Sequence, residues 1–462
     1  MHMVAVGGSD AGISAALRAR EVDPTAEVTV VAADAYPNFS ICGIPYYVSG
    51  EVTHWRNLAH RTVADLEATG TQLRLDSTAR RIDVAARKLA VTGPDGGEEL
   101  IGYDQLVIGT GAVPVRPPIG GLDTLGPGDG VHLLHSMGDT FALMGTLEQG
   151  APASAVIVGA GYIGLEMADA LTIRGLRVTQ MEQLPEVLPT VDPELGAMVH
   201  AELAGHSVEV LTGTTVRVVS KAAPGEPGRL RVEAAVGDGQ PVTRQADLVL
   251  VVVGVRPDTS LAAGAGASLG VRGAIAVDRQ MRTGLPDIYA AGDCAITHHR
   301  LLGETYLPLG TTAHKQGRVA GENAAGGNRE FAGSLGTQVV KIFDQAAART
   351  GLRDHEATAA GYDPVTISSG ADDHKAYYPG SHRIAMRFTG DRQTGRLLGA
   401  QLFGHRNAEI AKRIDIAATA IFHSMTVDAI SDLDLSYTPP LGSPWDAVQA
   451  GAQAWTRQTR PS

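Results

Sequence analysis

Ala155-Val156-Ile157-Val158-Gly159-Ala160-Gly161-Tyr162-Ile163-Gly164-Leu165-Glu166 carries an apolar run into a glycine-rich turn, and then into a helix expected to reach about Arg174. A strand entering G-x-G-x-x-G makes a tight turn, brings backbone close to a pyrophosphate and packs the following helix against the sheet. The N–H groups at that helix start then face an anion. Arg177 to Met181 reads as the next strand and ends at Glu182, 23 residues after Gly159. A carboxylate there accepts both hydroxyls of an adenosine ribose and repels a 2′-phosphate. Gln183-Leu184-Pro185 supplies no arginine to neutralise such a phosphate, so the pattern fits NADH over NADPH.

The N-terminus repeats the pattern. Val4-Ala5-Val6 reads as a strand, Gly7-Gly8-Ser9-Asp10-Ala11-Gly12 as the turn, Ile13 to Glu21 as the helix and Glu27 to Ala33 as the second strand. Gly7 allows the turn and Gly12 the close helix packing, whereas the middle position is Ser9. Three further runs, Leu106–Pro114 with Thr110 and Gly111, Val253–Pro257 with Gly254, and Ile288–Asp293, each end in glycine beside a polar residue. Such runs bring backbone to a cofactor at the C-terminal edge of a sheet.

Cys42 stands in Phe39-Ser40-Ile41-Cys42-Gly43-Ile44-Pro45-Tyr46-Tyr47, and the other cysteine is the distant Cys294. No partner lies nearby to resolve Cys42, so a second sulfur in any thiol chemistry belongs to the substrate. Pro45, in the first turn of an expected helix, puts the sulfur near a helix start that favours thiolate. The competing reading is a small buried hydrophobe, the common fate of a free cysteine and the one expected for Cys294.

Taken in order, these motifs resemble the pyridine nucleotide-disulfide oxidoreductase flavoproteins. The run around Cys42 resembles their single-cysteine branch of coenzyme A-disulfide reductases, persulfide reductases, NADH oxidases and NADH peroxidases. The resemblance implies an α/β fold of two Rossmann-like dinucleotide-binding domains plus a C-terminal α+β dimerisation domain. An FAD-binding domain would span 1–115 and 250–325, an NADH-binding domain 116–249, and the dimerisation domain 330–462. Gly7, Ser9, Gly12, Thr110, Gly111, Gly254, Asp293 and Thr311 would line the FAD site, with Thr311 on a helix start facing the flavin pyrimidine. Gly159, Gly161, Gly164 and Glu182 would hold NADH. The acid expected at the end of the second FAD strand falls on Ala32, which leaves the ribose to Asp34.

Lys341-Ile342-Phe343-Asp344, Thr350-Gly351-Leu352, Tyr377-Tyr378-Pro379-Gly380 and Leu435 to Pro440 match the dimerisation motifs in order. By resemblance, Tyr378 and Tyr437 of a homodimer partner sit over Cys42. The implied activity is NADH-driven reduction of a small disulfide or persulfide. The alternatives are an NADH oxidase or peroxidase cycling through Cys42 sulfenic acid, and a non-enzymatic flavin redox sensor. Arg18 and Arg20 are candidate cations for coenzyme A phosphates, against which stand the acidic Glu21 and the apolar Ile41.

Composition agrees with a large enzyme. A formal net charge of -12 over 462 residues disfavours nucleic acid. No apolar run reaches membrane-spanning length, and the first strand begins at Met3 without a leader, so a cytoplasmic protein is expected. The 15 histidines show no metal-binding spacing, and no metal site is expected. Ala222 to Gly228 and Gly237-Asp238-Gly239 read as hairpin turns, and strands at 338–343 and 383–388 with a helix at 408–423 are expected in the last region.

Overall fold

Both glycine-rich turns stand where a buried parallel strand gives way to a helix. In this computed structural model, which describes residues 1–237 and 239–459, the first sheet runs Ile288–Ala290, Gln105–Ile108, His2–Val6, Glu27–Val31, Thr71–Arg74, all parallel. Its second sheet runs Glu209–Leu211, Arg177–Met181, Ser154–Val158, Leu248–Val251, Val131–Leu133, again parallel. Central strands covered on both faces read as continuous apolar runs, which is why Val4–Val6 and Ala155–Val158 were legible. The helices that follow are Asp10–Val22 and Tyr162–Ile173.

The chain divides into two compact units. The first comprises residues 1–115, 135–141 and 254–334, and the second 116–134, 142–253 and 335–462.

Glycine sets the geometry of the first unit. A Cβ on Gly7 would lie 2.0 Å from the Gly109 carbonyl oxygen, and one on Gly12 2.0 Å from that of Gly7. Helix Gly310–Ala324 crosses helix Asp10–Val22 at equally close range. There a Cβ on Gly317 would come within 2.3 Å of Ala11 O, and on Gly321 within 2.1 Å of Ala15 O. Such contacts let two backbones meet where any side chain would hold them apart.

In the second unit, Thr214–Lys221, Leu230–Val236 and Gln240–Ala246 form an antiparallel meander. Its first turn is the expected 222–228 segment, and the second falls at 237–239, where Asp238 lies outside the described residues. The C-terminal region folds as an antiparallel sheet in the order Gln338–Ile342, Gln345–Gly351, Leu397–His405, Arg383–Asp391, Pro364–Asp372. Helix Ile410–Phe422 buries Ile410, Ile414, Ala417 and Ile421, a helical stripe, against this sheet.

Charged clasps tie the C-terminal sheet to the dinucleotide-binding part of the same unit. Lys341 Nζ donates to Asp169 on helix Tyr162–Ile173 at 2.7 Å, and Phe343 N–H donates to the same carboxylate oxygen at 3.0 Å. Arg387 Nε and Gln401 Nε2 both donate to Asp192, at 2.7 and 2.8 Å. Arg349 and Arg353 donate to the Thr190 and Pro189 carbonyls while gripping Glu356 between them. Burial by itself raises Glu356, but hydrogen bonding and charge from Arg349, then Arg353, override it and hold the carboxyl at about 2.

A carboxyl depressed in this way stabilises the fold above its ordinary range near 4.5, and the contribution disappears as pH falls toward 2. Glu356→Gln should therefore cost about 2–3 kcal/mol at pH 7. Parallel thermal melts of the two proteins should converge as the pH drops from 4.5 toward 2; a constant gap would remove the clasp from the stability of this unit.

Candidate active site and cofactor cradles

The N-terminal turn offers a cradle for a dinucleotide. Ser9 caps helix Asp10–Val22 without a side-chain bond to its N–H groups, so the hydroxyl is not used by the helix. Gly111, in a left-handed conformation with φ 71°, follows Thr110, whose Oγ1 donates to Asp258 O at 2.6 Å. Gly254 also has positive φ, at 107°, and its carbonyl accepts from Val115 N–H at 2.9 Å. Asp293 follows the buried turn at Gly292, which is gripped by Gln316: its Oε1 accepts from Gly292 N–H at 2.9 Å and its Nε2 donates to Ile296 O at 3.0 Å. Burial, reinforced by the neighbouring Asp10 carboxylate, pushes Asp293 up to about 6. Thr311 is exposed in the first turn of helix Gly310–Ala324.

Two observations suit FAD in this cradle. Asp293 is a half-buried carboxylate pushed up by burial, and ribityl hydroxyls would donate to it. Asn38 is 1% exposed, yet neither atom of its side-chain amide has a hydrogen-bond partner. It lies beside the glycine turn, its N–H donating to Gly8 O at 2.6 Å. A buried orphan amide implies a missing polar partner. Sequence reading passed over both Asn38 and Gln316. At the end of the second strand Ala32 is buried, and a Cβ added at Gly8 would meet its Cβ at 2.7 Å. Asp34 is exposed and accepts from Tyr36 N–H at 2.9 Å.

In the second unit the turn is built alike but not identically. Gly159 has φ 106°, and a Cβ there would meet Val252 O at 2.6 Å, while one on Gly164 would meet Gly159 O at 2.2 Å. Gly161 differs: nothing lies within 4 Å of its would-be Cβ, so protein packing does not demand glycine there. The open space suits a pyrophosphate lying on the turn. Glu182 is 6% exposed and its carboxylate is oriented by Ala160 N–H at 2.7 Å and Leu184 N–H at 2.9 Å. The acid thus faces the turn where the sequence placed it.

Cys42 is exposed and forms no disulfide, in a short 3-10 turn Ile41–Gly43 that leads into helix Ile44–Ser49 with Pro45 in its first turn. Cys294 is 0% exposed, and burial pushes its thiol up. Its sulfur sits 3.4 Å from Ala291 O. The segment before Cys42 is pinned by backbone bonds: Ser40 N–H to Leu58 O at 2.8 Å and His60 N–H to Asn38 O at 2.9 Å. An aromatic cluster supports it, with Tyr36 edge-on to Trp55 and Phe141 and Phe39 stacked on Trp55, centroids 5.2–5.6 Å apart. No sequence motif announced this cluster.

Arg18 and Arg20 do not stand ready for phosphates. Arg18 donates to Glu21 and Glu322, and Arg20 to the Thr69, Pro24 and Ala26 carbonyls. Asp10, His60 and His314, unrelated in sequence, converge so that one donor atom of each lies within 4.8 Å of the others, a grouping that histidine spacing did not reveal. In the second unit Tyr377, Tyr378 and Tyr437 are 74%, 44% and 45% exposed, near Leu441 at 79% and Trp445 at 56%. Tyr377 and Tyr437 share a hydrogen bond, and Lys375 N–H reaches Pro439 O at 3.4 Å. Exposed aromatic side chains gathered in this way mark an interaction surface. Among the described residues no helix is long and apolar enough to cross a membrane.

Residues 1–317 match the family model described as pyridine nucleotide-disulphide oxidoreductase, and residues 337–447 match the dimerisation domain of that family. The chain is 35% identical over 448 residues to an NAD(P)H sulfur oxidoreductase (CoA-dependent) of Pyrococcus furiosus, covering 96% of this chain and 97% of that protein. It is 32% identical to an NADH oxidase of Methanocaldococcus jannaschii, covering 98% of each. The solved structure of an NAD-dependent persulfide reductase from A. fulgidus superposes with TM-score 0.91 at 36% identity, over 99% of this chain and 83% of that one.

Gly161→Ala tests the second cradle. With no protein atom near the new methyl, the variant should fold and keep its FAD, while KM for NADH rises about tenfold or more. Steady-state kinetics giving an unchanged KM would remove the pyrophosphate from this turn.

Proposed function

The chain belongs to the pyridine nucleotide-disulphide oxidoreductase family, and from that premise we propose that it reduces a low-molecular-weight disulfide or persulfide, a coenzyme A species foremost, through Cys42 at the expense of NADH. The observation that carries this reading is the pair of cysteines, neither of them in a disulfide: Cys42 is exposed and Cys294 buried. With no second protein thiol to resolve Cys42, the disulfide formed there must include a substrate sulfur. The sulfur and persulfide reductases among its relatives support the substrate class, and the CoA-dependent one supports coenzyme A.

Bound FAD supplies the two-electron link between nicotinamide and sulfur. The chain's residues do the rest. Gly7, Ser9, Gly12, Thr110, Gly111, Gly254, Asp293 and Thr311 hold the flavin nucleotide, with Asp34 beside the second strand as the remaining acid for its ribose. Gly159, Gly161, Gly164 and Glu182 hold NADH. Cys42 thiolate attacks a substrate disulfide, the S–S bond breaks, one thiolate leaves, and Cys42 is left in a mixed disulfide with the other half. Two electrons from NADH cleave that bond and release the second thiolate, so that NADH, one proton and RSSR become NAD+ and two RSH. Tyr378 and Tyr437 of a homodimer partner protonate or orient the departing thiolate, a role supported by their exposure and by the dimerisation-domain match. Two cysteines without a disulfide suit a reducing cytoplasm.

The oxidase reading has the Methanocaldococcus jannaschii relative in its favour. Against it, by the resemblance to the family, stands Asp10 in the first glycine-rich turn, where peroxidase-type members carry histidine. Membership in an oxidoreductase family leaves a non-enzymatic sensor unsupported.

Cys42→Ser should retain FAD and its bleaching by NADH, yet lose disulfide- or persulfide-dependent NADH consumption by 10²-fold or more, on the order expected for removing a nucleophile. Parent-like turnover of coenzyme A disulfide by the variant refutes the thiol mechanism; rapid consumption by the parent with oxygen alone moves it to the oxidase branch.

Glu182 sets the nucleotide preference. The parent should favour NADH over NADPH in kcat/KM by on the order of 1 to 3 kcal/mol, the scale of a partly screened like-charge contact. In Glu182→Ala the advantage should shrink; equal efficiencies in the parent would contradict this assignment.

A further inference from the structure

The close crossing of helices Asp10–Val22 and Gly310–Ala324 brings their first turns together, and a third segment joins them. His314 Nε2 lies 3.4 Å from Asp10 Oδ1. The His60 ring stands 6.0 Å from that of His314, and the His60 main chain is held by its N–H bond to Asn38 O. One donor atom from each of the three lies within 4.8 Å of the other two. An ion with about 2.0–2.2 Å bonds to imidazole nitrogen and carboxylate oxygen spans donors roughly 3.3–4.2 Å apart. The exposed His60 side chain closes that difference with a swing of less than ~1 Å.

Proximity is joined by three independent features. Asp10 Oδ1 is shut away from solvent and has no hydrogen-bond partner, a state that calls for a donor or a cation. Ser14 Oγ lies 2.9 Å from His314 Nδ1, which fixes the ring and leaves Nε2, the nitrogen facing Asp10, for a ligand, as outer-shell partners of metal-bound histidines do. The Asp293 carboxylate adds like charge, and among the described residues neither it nor Asp10 has a lysine or arginine ion-pair partner. Two imidazoles, a half-buried carboxylate and a second carboxylate nearby form a donor set that a zinc-class ion prefers over calcium or magnesium.

We propose that Asp10, His60 and His314 bind one zinc-class divalent cation, with the remaining coordination positions open to solvent. Occupancy fastens the starts of both helices to the segment that bears His60, and this segment is backbone-paired to the one leading to Cys42. The ion is thereby placed to regulate the thiol site from outside it.

The test uses FAD-loaded protein carrying Cys42→Ser, which removes the thiolate as a competing ligand, titrated with Zn2+ against a chromophoric chelator of micromolar affinity. One ion per chain is expected, with affinity falling roughly 10- to 100-fold or more in His60→Gln and His314→Gln, and by about tenfold in Ser14→Ala. Zn2+ should also raise the melting temperature of the parent but not of the histidine variants. Each variant is first checked for full FAD content, and His60, exposed on a loop, is the change least able to disturb folding. Zinc bound as tightly by His60→Gln and His314→Gln as by the parent, or not retained by the parent at all, overturns the site.

Discussion

Backbone touching backbone is the constraint on which the first unit depends. Gly12 lies against the Gly7 carbonyl, Gly7 against that of Gly109, and Gly317 and Gly321 against Ala11 and Ala15. Methyl groups at these places would sit 2.0–2.3 Å from carbonyl oxygens, far inside any tolerable contact. Because the two helices meet without side chains between them, Asp10 and Ser14 come within reach of His314, and Gln316 reaches across to the Gly292 turn. The placement of Asp293 follows from the same crossing.

The fold was largely legible because its signals are local. A buried strand, a glycine turn and a helix occupy about twenty consecutive residues, and the strand Arg177–Met181 ends at Glu182 as read. Cys294 is buried as its place after the Gly292 turn suggested, and Cys42 is exposed, which fits the reactive reading that Pro45 favoured over a buried hydrophobe. Gly317 and Gly321, four apart on one helix face, were a visible sign of close packing that went unread. What stayed hidden depends on distant partners. Nothing local tells that Phe141 joins Tyr36 and Trp55, or that Asp10 meets His60 and His314. Arg18 and Arg20 looked available because Glu322, 304 residues beyond Arg18, and the carbonyls at 24, 26 and 69 are invisible from the helix that bears them.

The second unit is organised by charge where the first is organised by glycine. Asp169 and Asp192 each draw cationic or amide donors from the other side of a seam within that unit, and Glu356 holds Arg349 and Arg353, which donate across it to the Thr190 and Pro189 carbonyls. Removing one partner of such a buried set strands the other, so these clasps act together to hold the C-terminal sheet against the nucleotide-binding part. The Lys341 and Phe343 motif, matched by its order alone, thereby acquires a physical reason in Asp169.

The segment leading to Cys42 is fastened to Gly8, Leu58 and His60 by main-chain hydrogen bonds. Hydrogen bonds of this kind do not depend on which side chains the participating residues carry. Evolution can therefore exchange the residues around the sulfur while its position stays fixed. A lineage could drift from one sulfur acceptor to another, or toward oxygen, through substitutions that leave the architecture intact, and relatives named for different acceptors at about one-third identity are the divergence such a scaffold permits.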